Sequence, residues 1–180
     1  TVPSSLVSAY SGEYIIVCEK ETGTLHLYQY RDSAFTPVKS YAFAILSGKK
    51  DKQAQASLPE GIFFTVRTVS AQSSAGGNGS VSYILNSPNT FTKKEGLKTD
   101  GLFIQGHDKS GTDQTADKKD AKTCIGIDSA SITELAALIK SSGTPVVIVN
   151  KIKAGSKEKQ DSLSVEINNF LESWKRAWES

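Results

Sequence analysis

Two short stretches hold the residue types best suited to chemistry: FIQGHDKSG (103–111) and KTCIGID (122–128). The first carries His107 and the second Cys124, in a chain with only two histidines and two cysteines. A thiol attacks as its thiolate, and a free cysteine with a pKa of about 8.5 is mostly protonated at neutral pH. An imidazole within hydrogen-bond reach takes that proton and later returns one to a leaving group. His107 and Cys124 are therefore candidates for base and nucleophile. Gln105 is the other polar side chain on that stretch, but an amide neither gains nor loses a proton in the working range; it only orients or donates. Asp108 stands next to the imidazole and could orient it, as a backbone carbonyl could. Lys122 could lower the thiol pKa by its charge. The bland alternatives are a solvent-facing loop histidine, a solvated lysine and a cysteine that is a small buried hydrophobe.

The elements that carry these residues follow from alternation. In GLFIQGHD (101–108), Leu102, Ile104 and Gly106 point one way, while Phe103, Gln105 and His107 point the other. Gln105 and His107 then look toward one cleft, about 6–7 Å apart. A modest bulge or an early strand end would bring the imidazole near Cys124. In CIGID (124–128), Ile125 and Ile127 face the core, so Cys124 and Gly126 face away from it. Further strands are expected at 14–18 and 24–30 (a hairpin), 40–46, 58–69, 81–86 and 144–150, the last one central. Ser131 and Glu134 have capping-box spacing, and Leu135, Leu138 and Ile139 give a helical stripe that Gly143 ends. Leu163, Ile167, Phe170, Leu171, Trp174 and Trp178 lie on one face of a final helix. Cys18 reads as core and His26 as strand surface. Tyr83, Asn86, Asn89 and Lys122 are groove candidates; turn and strand roles explain the first three equally well. The whole is a mainly β sandwich or barrel with helices at one end.

Composition narrows the function. A net charge of +2 over 180 residues, with scattered lysines, lacks the basic stripe of a nucleic-acid protein. Two cysteines make no disulfide scaffold, and ligands for a metal site are scarce. No apolar run approaches the roughly 20 residues that span a bilayer. The chain contains no methionine, which fits a processed or trimmed fragment.

Four blocks in order resemble the catalytic domain of the L,D-transpeptidases (YkuD-type). They are YIIVCEKETGTLHLYQY, LSGKKDKQAQASLPEGIFF, YILNSPNTFTKKEGLKTDGLFIQGHD, and KTCIGID with the helix and GTPVVIV after it. The resemblance covers roughly residues 12–152, with 1–11 as an N-terminal arm. It extends to the tail (153–180), read as a linker and helix: NNFLESWKRAWES is similar to the first helix of the nuclear-transport-factor-like domain that follows in some relatives. The alternative is a helix packed back on the sandwich through its tryptophans.

The resemblance implies acyl transfer on peptidoglycan stem tetrapeptides through a thioester, without metal or organic cofactor. An amine resolves the thioester to a crosslink, or water resolves it and trims the stem as an L,D-carboxypeptidase does. Carbapenem-type inhibitors would acylate the same thiol. It also implies work in the periplasm or cell envelope, with an export signal missing from this chain. Two positions depart from the family. Its histidine falls on Gln105, so that His107 becomes the base by relocation, with Gly106 and Asp108 flanking it. Its glycine falls on Thr123, where a φ above zero would strain a β-branched residue. Backbone N–H groups of Thr123 and Cys124 are the implied oxyanion donors. A second expectation, from another functional class, is a degenerate relative that grips peptidoglycan without turnover.

Overall fold

The computed structural model describes residues 13–32, 34–46, 58–70, 81–94, 96, 101–107 and 123–179. The expected arm (1–11), residues 47–57, 71–80 and 108–122, and with them Asp108 and Lys122, lie outside the described residues.

Among the described residues β-branched and aromatic runs form nine strands: β1 (Tyr14–Glu19), β2 (Thr24–Arg31), β3 (Ala34–Ala42), β4 (Ala44–Leu46), β5 (Gly61–Ser70), β6 (Val81–Leu85), β7 (Leu102–His107), β8 (Thr123–Asp128) and β9 (Pro145–Val149). They make one sheet in the order β3-β2-β1-β9-β5-β6-β7-β8-β4. The protein is thus mainly β, as expected, and of the two expected forms, sandwich or barrel, it is a sheet curled into a nearly closed barrel with a few helices. Strand β5 is one seam. Its first residues, Gly61–Phe64, pair with β9, and its later ones pair with β6 across a register shift between Thr65 and Arg67. Such a shift bends a strand and sharpens its twist. The opposite seam lies where β3 passes through Phe43 directly into β4, joining the two edges of the sheet.

Closure puts one face of every strand inside. Ile16, Cys18, Leu25, Leu27, Phe63, Leu85, Leu102, Ile104, Ile125, Ile127 and Ile148 meet there, as alternation requires. Helix α2 (Ser129–Ala136) adds Ile132 and Leu135 to that core and packs on β6, β7 and β8. Its N-cap is Asp128, not the expected Ser131: the Asp128 carboxylate accepts from the N–H groups of Ala130 and Ser131 at 3.1 and 3.0 Å, and from the Ser131 hydroxyl. The capping-box pattern lost because Asp128, the last residue of β8, is an equally good cap three residues earlier. A short helix α1 (Thr90–Lys94) was not expected from sequence.

The final helix, α3 (Lys157–Glu179), buries none of its residues. Trp174 and Trp178 are 56% and 77% exposed, and they touch each other rather than the barrel. The two tryptophans thus do not pack back onto the sheet. Among the described residues, no helix is long and apolar enough to cross a membrane.

Candidate active site

Strands β7 and β8 run parallel and side by side, in an unbroken register from Leu102↔Thr123 to His107↔Asp128. Ladder partners share a sheet face. Phe103, Gln105 and His107 therefore stand on the same outward face as Cys124 and Gly126, while Ile125 and Ile127 are inside, as their spacing dictates. The neighbouring ladders extend this into rows. Arg67, Ile84, Phe103, Cys124 and Leu46 form one row across five strands. Val69, Ser82, Gln105, Gly126 and Ala44 form the next.

Cys124 is opposite Phe103, not Gln105 or His107. His107 is four ladder positions along, about 13 Å of strand rise. No bulge shortens that distance, because the register is regular. The side chain shortens it instead. A Cβ built on Gly126 would stand 2.9 Å from His107 Cδ2, and 2.6 Å from Leu46 Cδ1. The ring therefore lies over Gly126, one row nearer to Cys124 than its own backbone. Gly126 is two residues from the cysteine, about 7 Å along β8.

The thiol itself is 7% exposed. Burial pushes its pKa up to about 12, against a hydrogen bond from the Gln105 backbone that lowers it. An apolar setting disfavours the thiolate, and the row neighbours Phe103, Leu46 and Ile84 supply that setting. Cys18 is fully buried among core side chains, and its thiol is also pushed up by desolvation. Both cysteines are free.

The other candidates divide. Thr123 opens β8 opposite Leu102, and Asp32 is the one non-glycine with positive φ among the described residues, so the feared strain at Thr123 does not arise. Gly106 pairs with Ile127 and is buried on the inner face. Tyr83 is not a groove residue: it is 2% exposed inside the barrel, where its aromatic ring fills core volume. Asn89 serves local structure. Its Oδ1 accepts from the Thr92 N–H at 3.0 Å, and its Nδ2 donates to the Ile62 carbonyl at 3.4 Å. The Asn86 Oδ1 accepts from the Phe64 N–H at 2.8 Å. Sequence reading missed Gly126 and Leu46. The isolated glycine in CIGID was the available signal for Gly126; nothing in the sequence pairs Leu46 with Cys124. Among the described residues no three His, Cys, Asp or Glu side chains converge as metal ligands.

No family model matches the sequence, and no curated protein matches it. Solved structures do. Bd1075 of Bdellovibrio bacteriovorus is similar at a TM-score of 0.75 and 24% identity, over 99% of this chain and 64% of that one. The helical cell shape determining protein Pgp2 of Campylobacter jejuni is similar at a TM-score of 0.63 and 20% identity, over 94% of this chain and 58% of that one. The chain thus spans less than two thirds of these proteins' length. At such identities the likeness is one of fold.

Proposed function

We propose that the protein is a cysteine acyltransferase of the cell envelope that acts on peptidoglycan stem tetrapeptides, an L,D-transpeptidase or the related L,D-carboxypeptidase. The observation that carries this reading is the shared outward face of Cys124 and His107, with the imidazole drawn over Gly126 toward the sulfur. The fold shared with a helical cell shape determining protein supports a role in the cell wall. So does the four-block resemblance of the sequence.

In this reading Cys124 attacks the carbonyl before the terminal D-alanine. The ring lies over Gly126, two residues along β8 from Cys124, so His107 takes the thiol proton through water or after a change of its own rotamer. The protonated ring then supplies the proton that the departing D-alanine amine needs. Amides at the entrance of β8, Thr123 and Cys124, donate to the oxyanion. Gln105, one row from the sulfur, orients the carbonyl without exchanging protons. An acceptor amine yields a crosslink, and water yields a trimmed stem.

A second reading has its own observation. With a pKa near 12, the thiol is overwhelmingly protonated at neutral pH, and Gln105 is no base. That state suits a wall-binding module without turnover. Incubation with stem tetrapeptide and with a carbapenem, followed by intact mass, separates the two. The enzyme reading expects an acyl adduct that Cys124→Ser removes, and turnover that His107→Ala collapses while Gln105→Ala lowers it less. Neither adduct nor product from the wild type would leave the binding module standing.

A further inference from the structure

The glycine of β8 is hard to explain by its backbone. Gly126 is not among the residues with positive φ, and it sits in mid-strand with pairing strands on both sides. Any residue adopts that backbone, and glycine weakens a strand interior. What only glycine provides here is space. A Cβ at this position would meet Leu46 Cδ1 at 2.6 Å, Leu46 Cγ at 2.9 Å and His107 Cδ2 at 2.9 Å. Carbon atoms rest at about 3.5–4.0 Å. Side chains from the two flanking strands, β4 and β7, thus converge on one missing methyl group.

We propose that Gly126 is a positioning residue: its bare Cα forms a notch in β8 that holds the His107 imidazole one row nearer to Cys124, with Leu46 as the wall on the β4 side. The proposal rests on the reading of Cys124 and His107 as nucleophile and base. It deepens that reading by naming what draws the base toward the sulfur. Leu46 is opposite Cys124 in its ladder, yet its side chain leans along the strand over Gly126. It therefore limits how far the ring can shift toward β4. A methyl group at 126 closes the notch. Leu46 is a flexible aliphatic chain, but the ring is a rigid plane. It swings back toward the row of Asp128, its own ladder partner.

The chain's two histidines make this directly readable. His107→Ala assigns the two sets of imidazole resonances. Gly126→Ala is expected to move the His107 set and leave the His26 set in place. It should also slow iodoacetamide alkylation of Cys124 by about threefold or more, and in a His107→Ala background it should slow it hardly at all. Cys18, fully buried, stays unlabelled as an internal control. Unmoved His107 resonances overturn the proposal, and so does an equal slowing with and without the imidazole. Should Gly126→Ala fail to fold, Leu46→Ala removes the 2.6 Å contact, and the same comparison is made in that background. The two readings fail separately. A wild type that forms no acyl adduct, with resonances that still move, ends the enzyme and keeps the notch. An adduct with unmoved resonances does the reverse.

Discussion

At the residue scale the balance of forces on one sulfur decides the chemistry. Burial raises the Cys124 thiol from 9.0 to about 12, and the Gln105 backbone hydrogen bond recovers only part of that rise. At pH 7 such a thiol is almost entirely protonated. Without the imidazole, in His107→Ala, alkylation of Cys124 should therefore climb about tenfold per pH unit from 7 to 10 without a plateau. In the wild type the climb should level off once the imidazole is neutral and able to take the proton. The same shift acts on stability. The folded-state pKa lies above the unfolded one, so between them the unfolded chain has released a proton that the folded chain keeps. Stability is fully present below pH 9 and is lost as pH rises above it, with Cys18 pushing in the same direction. Cys18→Ala should flatten the alkaline limb of a melting-temperature profile, while opening a small cavity at every pH.

At the element scale the seam strand β5 needs anchoring, because it bends between two halves of the sheet. Thr65 does this. Its hydroxyl oxygen accepts from the Thr144 N–H at 2.9 Å and donates to the Lys140 carbonyl at 3.3 Å. Its carbonyl accepts from the Gly143 N–H at 2.7 Å, at a turn where Gly143 has φ 85. That lattice ties β5 to the turn between α2 and β9. Thr65→Val keeps the volume but orphans the buried Thr144 amide, and should cost about 1–3 kcal/mol, read as a lower urea midpoint. The cap on α2 is a second such tie. Asp128→Ala should cost about 1 kcal/mol and, because Asp128 faces His107 across the ladder, shift the His107 resonances as well.

At the scale of the whole molecule α3 adds little to the barrel: Gln160, Leu163 and Ser164 are half-buried and the rest of the helix is exposed. No residue of α3 is buried, so cutting the chain after residue 155 should change the barrel's melting temperature by only a few degrees, by circular dichroism. Both tryptophans of the chain are on α3 and exposed. Their emission should be that of hydrated indole and easily quenched by acrylamide in the folded protein. A shielded spectrum would mean that something covers the helix.

Local patterning determined most of the strands, though not the first part of β3 or its division from β4 at Phe43, and it determined the inward isoleucines of β8 and the outward set Phe103, Gln105, His107, Cys124 and Gly126, because side-chain direction in a strand is a local property. Tertiary structure decided the rest. It put Tyr83 inside, took the cap from Ser131 to Asp128 and left the tryptophans of α3 uncovered. Above all it chose the register that sets Cys124 opposite Phe103 and Leu46, and drew the His107 ring over Gly126. Register between strands distant in sequence is a property of the closed sheet, fixed by how its inner faces pack, and no run of residues carries it alone.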